Sequence, residues 1–129
     1  MSENFVVEII SPDKSILKSE ATEVTIPSYE GQMGVLRDHI ALITFLRPGL
    51  VTVKKDSDRK IFFLEDGTVE FKNNNLLILS STVKDINKLD KNSIELILKD
   101  CREKMNDEEI TDKEKYLVAH KIDTLNEIN

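Results

Sequence analysis

The stretch Ile61-Phe62-Phe63-Leu64-Glu65-Asp66-Gly67-Thr68-Val69-Glu70-Phe71-Lys72-Asn73-Asn74-Asn75-Leu76-Leu77-Ile78-Leu79 decides the fold class. Ile61 to Leu64 is a continuous apolar run too short for a helix, and Asp66-Gly67 reads as the turn that ends it. Val69 and Phe71 then alternate with Glu70 and Lys72, the period of a strand with one wet face. Asn73-Asn74-Asn75 supplies a second turn, and Leu76 to Leu79 closes the series. Strand, turn, strand, turn, strand at this spacing predicts a β-sandwich or barrel.

The pattern extends upstream. Val51 and Val53 alternate with Thr52 and Lys54, with Asp56-Ser57-Asp58 as a hairpin tip before the central run. Phe5, Val7 and Ile9 alternate across a first strand, and Thr22, Val24 and Ile26 across another that Pro27 ends. Ser28-Tyr29-Glu30-Gly31 makes a turn, short apolar runs follow at Val35-Leu36 and Leu42-Ile43, and Pro48-Gly49 punctuates the chain.

Downstream of Lys84-Asp85 the period changes. Ile94, Ile97, Leu98, Cys101 and Met105 fall on one helical stripe, with Asn92 and Glu95 as a capping box and Asp90 as a rival N-cap. After a polar link at Asn106 to Glu109, Thr111-Asp112-Lys113-Glu114 is a second capping box, and Val118, Ile122, Leu125 and Ile128, widened by Ala119, form a second stripe. The fold class read from this is α+β: an N-terminal antiparallel β-sandwich over residues 1–86, then a C-terminal antiparallel two-helix hairpin over residues 87–129. Helices of this length are marginal alone, so the stripes must rest on each other, on the sandwich or on a partner.

The charge of the 129-residue chain, −6, disfavours nucleic acid and anionic lipid, whose affinity comes from neutralising phosphates. Met1-Ser2-Glu3-Asn4 carries no basic and apolar leader, and no apolar run approaches the roughly 20 residues that span a bilayer. The chain is expected to stay in the compartment where it is made, touching a membrane only through a complex. The single cysteine, Cys101, fits a reducing compartment and a small core position. No phosphate-cradling glycine loop is present, and two separated histidines with one cysteine write no zinc spacing. Asp38-His39 would need a serine from elsewhere to act as a hydrolase, and no nucleophile elbow accompanies it, so His39 reads as a loop or interface residue. His120, just off its stripe, is expected at the surface. No catalytic residue, cofactor or metal is predicted.

The stretch Glu30 to Gly49, EGQMGVLRDHIALITFLRPG, resembles the signature of the epsilon subunit of F-type ATP synthases, the bacterial and chloroplast epsilon equivalent to mitochondrial delta. The likeness continues through Phe63 to Phe71 and Leu76 to Ser80 and covers essentially the whole chain. Two departures stand out: Arg37-Asp38-His39-Ile40-Ala41 lacks the prolines and glycine usual around that histidine, and Asp66-Gly67 replaces a Gly-Gly.

The resemblance implies a sandwich of about ten strands and a non-catalytic rotor subunit of the central stalk, coupling rotation to ATP synthesis. It implies that Pro27, Ser28, Tyr29, Glu30, Gly31, Gln32, Met33 and Gly34 face the c-subunit ring, with Tyr29, Gln32 and Met33 at an exposed tip. Gly31 and Gly34 suit a loop that needs unusual φ or close backbone approach. It implies that Ser11, His39 and Thr44 lie on or near the surface facing the gamma subunit, while Val35, Leu36, Leu42, Ile43 and Leu46 build the sandwich. In the hairpin, Lys113, Lys115, Val118, Lys121, Ile122 and Leu125 are the residues implied in contacts with gamma and the alpha/beta subunits that block hydrolysis. The implied location is peripheral, on the cytoplasmic face of a bacterial inner membrane; a plastid-encoded homologue would look alike. Family members that bind ATP use an aspartate, arginine and alanine at the start of the first helix; Leu89-Asp90-Lys91-Asn92-Ser93-Ile94 keeps only the aspartate, so nucleotide binding is expected to be weak or missing. The alternative from another class is a free-standing nucleotide-sensing module.

Overall fold

The computed structural model describes residues 3–128. Met1 and Ser2, part of the stretch read for a leader, and Asn129 of the hairpin range lie outside the described residues. In chain order the strands are β1 (Phe5–Ile10), β2 (Ser15–Ala21), β3 (Glu23–Ser28), β4 (Gly31–Leu36), β5 (Leu42–Leu46), β6 (Gly49–Lys55), β7 (Asp58–Leu64), β8 (Gly67–Lys72), β9 (Asn75–Leu79) and β10 (Lys84–Asp85). A 3-10 turn at Ile86–Lys88 leads to α1 (Lys91–Met105) and α2 (Asp112–Ile128).

Hydrogen bonding runs β10-β7-β6-β3-β5-β8-β9-β1-β2, with β4 on the free side of β3. β3 is the fold's hinge. Glu23 to Thr25 pair with β6, whereas Ser28 pairs with Leu46 of β5, so one strand serves two layers. The layers are β10-β7-β6-β3-β4 and β5-β8-β9-β1-β2, closed over a core that includes Val7, Ile9, Val24, Ile26, Leu46, Val51, Leu64, Val69, Phe71 and Ile78. Every pairing is antiparallel except β1 with β9, which run parallel. Side-chain alternation is the same in either direction, so the sequence does not distinguish them.

Local chemistry explains the turns. Asn73 and Asn74, both at positive φ, form the two-residue β8–β9 turn, and Asp56 at φ 55 opens the β6–β7 tip. Asp66-Gly67 ends β7 as expected, but its turn is not a hairpin. β7 and β8 do not pair; Gly67, at φ +155, carries the chain from one layer to the other. A Cβ there would lie 2.6 Å from the Leu79 carbonyl oxygen, so no side chain fits. Thr22 also differs from the reading: it is the bend between β2 and β3, where its N–H reaches the Lys54 carbonyl at 2.7 Å. The polar composition of Ser15 to Ala21 hid β2, an edge strand.

The hairpin lies on the outside of β6 and β7. Phe62 and Leu64 point into the sandwich, but Phe63 points out and clusters with Ile94, Leu98 and Leu125. Leu50, Ile97 and Ile122 pack against that cluster. The unbroken apolar run of β7 is thus a strand buried on both faces. Cys101 is buried on the α1 stripe, as expected, and burial pushes its thiol pKa up. Asp90 wins over Asn92 as the α1 N-cap: its Oδ1 accepts from the Ser93 N–H at 2.7 Å. The Thr111–Glu114 box forms as read, with the Glu114 N–H donating to Thr111 Oγ1 at 3.1 Å.

Candidate functional site

Two surfaces collect the residues singled out above. The first is the outer face of the second layer. Strand register places Phe45, Thr68, Leu79 and Ile10 in one cross-strand row and Ile43, Glu70, Leu77 and Glu8 in the next. The inward neighbours Val69, Phe71, Leu76 and Ile78 are buried, so these rows point to solvent. Ile43 is 76% exposed, Phe45 63% and Leu79 44%. Ile43 and Leu36, expected to build the sandwich, are instead on its surface. A shallow groove of about 580 Å3 runs between Ile10, Ser11, Phe45, Thr68 and Leu79. Large apolar side chains gathered on one face, with carboxylates at Glu8 and Glu70, have the character of a protein-binding surface.

Ser11 lines one end of this groove. His39 stands at the other end of β5, its ring edge-on to Phe71 at 5.9 Å, and its Nδ1–H donates to the Ile40 carbonyl at 2.7 Å. Asp38 does not orient it: the Asp38 carboxylate accepts from Asn74 Nδ2 at 2.9 Å, tying this loop to the β8–β9 turn. Thr44 pairs with Val69 and faces inward, half-buried, so its neighbours Ile43 and Phe45 carry the surface. Both parities of β5 are apolar, and parity alone cannot select the outer one.

The second surface is the β3–β4 turn. Tyr29 and Glu30 form its two-residue tip, closed by Ser28 Oγ donating to the Gly31 carbonyl at 2.6 Å. Gly31 adopts φ +133, as expected for this turn, whereas Gly34 has an ordinary conformation and a Cβ there would meet only Glu23 Oε2, at 3.5 Å. Pro27 and Ser28 are buried and Gln32 is exposed. Met33 is not at an exposed tip; it is half-buried against the sandwich core because it shares the face of Val35.

Tyr29 meets the hairpin. Its ring stacks on Tyr116 of α2 at 6.1 Å, and its carbonyl accepts from the Tyr116 hydroxyl at 2.9 Å. Arg47 Nη1 donates to Tyr116 Oη at 3.0 Å and to His120 Nε2 at 3.3 Å. His120 is therefore half-buried in a network, not free at the surface as its position off the stripe suggested. Burial and the Arg47 charge hold its pKa below the ordinary value, against a smaller opposite pull from Asp123. Lys121 pairs with Glu65 of the sandwich at 2.6 Å, while Lys113 and Lys115 are exposed. Val118 and Ile122 are half-buried and Leu125 fully buried. Among the described residues no cluster of His, Cys, Asp and Glu is arranged to hold a metal ion, and no helix is long and apolar enough to cross a membrane.

The family model for the beta-sandwich domain of the ATP synthase delta/epsilon chain matches residues 4–85. The ATP synthase epsilon chain of Pelagibacter ubique is 46% identical over 130 residues, spanning all of both chains. This chain belongs to the ATP synthase epsilon family.

The chloroplastic epsilon chain of Guillardia theta is 33% identical over 109 residues, covering 84% of this chain and 82% of that one. The epsilon fold extends further in structure than in sequence. A chain of the Euglena gracilis mitochondrial ATP synthase OSCP/F1/c-ring structure superposes with a TM-score of 0.83 at 19% identity, over 98% of this chain and 82% of that one. A chain of the Tetrahymena thermophila mitochondrial central stalk/c-ring structure does so with a TM-score of 0.63 at 16% identity, over 95% and 93%. At such identities the likeness speaks for the fold, including the hairpin beyond the family model's last matched residue.

Proposed function

We propose that this epsilon-family chain is a non-catalytic rotor subunit of the ATP synthase central stalk, docking on gamma through the outer face of β5, β8, β9 and β1. The observation that carries this reading is the apolar face formed by Ile43, Phe45 and Leu79 over two adjacent cross-strand rows, on the layer that the hairpin leaves uncovered. The glutamates Glu8 and Glu70, in the same row as Ile43, call for basic residues on the partner's rim. The tip of the β3–β4 turn would rest on the c-ring, with Tyr29, Glu30 and Gln32 as its accessible side chains. Membrane association then runs through the complex, on the cytoplasmic face of a bacterial inner membrane.

The hairpin, residues 87–129, is proposed as a separable regulatory unit on a sandwich of residues 1–86. It stays docked through Phe63 and Leu125 and releases to reach the alpha/beta subunits, where Lys113 and Lys115 would meet acidic side chains. Removing residues from 88 onward should leave assembly intact and raise ATP hydrolysis a few-fold. Nucleotide sensing has less support, since Asp90 is engaged as a helix cap and Ile94 is buried in the hairpin interface.

Co-purification is the test. A tagged chain expressed in its host should bring down gamma with alpha and beta, and recovery of the chain alone would refute the stalk assignment.

A further inference from the structure

The first turns of α2 carry little apolar burial. Asp112 to Tyr116 are exposed, and the buried α2 residues Thr124 and Leu125 lie near its far end. What holds the near half to the sandwich is polar and aromatic: the Tyr29 stack, the Arg47 bonds to Tyr116 and His120, and the Lys121–Glu65 pair. His120 also sits edge-on to Tyr116 at 4.5 Å, so its ring belongs to both the stack and the Arg47 contact.

The Arg47 contact fixes the protonation state of His120. A guanidinium only donates, so at 3.3 Å Nε2 must present its lone pair, and the imidazole must be neutral. Protonation would turn the acceptor into a second donor and set imidazolium against guanidinium. Arg47, from the β5–β6 connection, is the cation facing His120. Tyr29, from the β3–β4 turn, completes the stack on Tyr116. Asp123 and Glu127 of α2 line the same cleft of about 230 Å3, and Asp123 draws His120 towards its charged form. The β6 residues on that cleft, Leu50 and Thr52, are uncharged.

We infer that His120 is a proton-operated release for α2: neutral, it accepts from Arg47 and keeps the helix latched to the β3–β4 turn, and protonated, it repels Arg47 and frees it. The sign follows from linkage. Docking lowers the His120 pKa, so the undocked state binds the proton more readily. Docking is therefore complete above the ordinary histidine pKa and weakens as pH falls from there through the lowered one. The release belongs to the isolated chain and does not depend on which partners it meets.

The sequence supplies its own reporter, because the chain has no tryptophan and only two tyrosines, the stacked pair Tyr29 and Tyr116. Near-UV circular dichroism of the full chain in the tyrosine band therefore reads the latch, and the far-UV signal monitors the fold. Between about pH 8 and about pH 5 the tyrosine band should collapse in a single-proton step with its midpoint below about 6.5, far-UV signal unchanged. His120→Gln keeps an acceptor for Arg47 without titrating, and its band should stay flat. Arg47→Met should move the His120 midpoint, followed by ring-proton NMR, upward toward the ordinary value, which gives a second reading should His120→Gln fail to fold. A tyrosine band that stays constant while His120 titrates, a His120→Gln profile like wild type, an unmoved midpoint in Arg47→Met, or loss of the step in His39→Gln would each overturn the proposal.

Discussion

Leu50 and Phe63 lie directly opposite each other across β6 and β7, and both face out of the sandwich into the hairpin. Phe63 is 1% exposed although its strand's neighbours Phe62 and Leu64 fill the opposite face. Phe63→Ala should therefore cost about 3–5 kcal/mol in urea unfolding and raise amide exchange in α1 and α2 before it does so in the strands. Leu96→Ala, on the exposed side of α1, should change stability by less than about 0.5 kcal/mol.

Gly67→Ala should be among the most damaging single-carbon changes in the chain. Its φ of +155 and the Leu79 carbonyl 2.6 Å from a Cβ leave no relaxed solution short of moving the layer crossing. A loss of at least about 2 kcal/mol is expected in chemical denaturation. Gly34→Ala, whose Cβ would meet only Glu23 Oε2 at 3.5 Å, should stay within about 1 kcal/mol of wild type.

Asp90 gives the start of α1 a pH dependence. Hydrogen bonds from the Ser93 backbone and then its side chain hold the Asp90 carboxyl below its ordinary value of 3.8. A lowered pKa in the folded state contributes stability above 3.8 that is lost as pH falls through the folded value. Asp90→Asn keeps a capping acceptor without the charge. The stability difference between wild type and Asp90→Asn should be constant near neutrality and shrink in acid below the ordinary carboxylate range, as measured by thermal unfolding across pH.

The α+β class and the two helices were legible because the hydrophobic period switches from two to 3.6 after Asp85, and the Thr111–Glu114 box forms as its spacing predicts. The Glu30–Gly49 signature likewise pointed to the family. Other features are set by contacts that no local pattern carries. β2 was hidden because an edge strand tolerates polar residues on both parities. The layer crossing at Asp66-Gly67 is not legible because a glycine turn looks the same whether its strands pair or part to different layers. The exposure of Ile43 and Leu36 is not legible because an apolar side chain reads as core whichever face of its strand it occupies, and both faces of β5 are apolar. His120 was placed at the surface because its partner, Arg47, is distant in sequence.

Gamma docking on the outer face is the central claim, and one pair of substitutions tests it most directly. Phe45→Asp and Ile43→Asp change residues already 63% and 76% exposed, so the isolated protein should fold with a melting temperature close to wild type. Binding to separately purified gamma, followed by titration calorimetry, should be tight for wild type and at least about 100-fold weaker for Phe45→Asp, the loss typical of a buried aromatic anchor. Wild-type affinity in both variants, with the fold intact, would contradict the account.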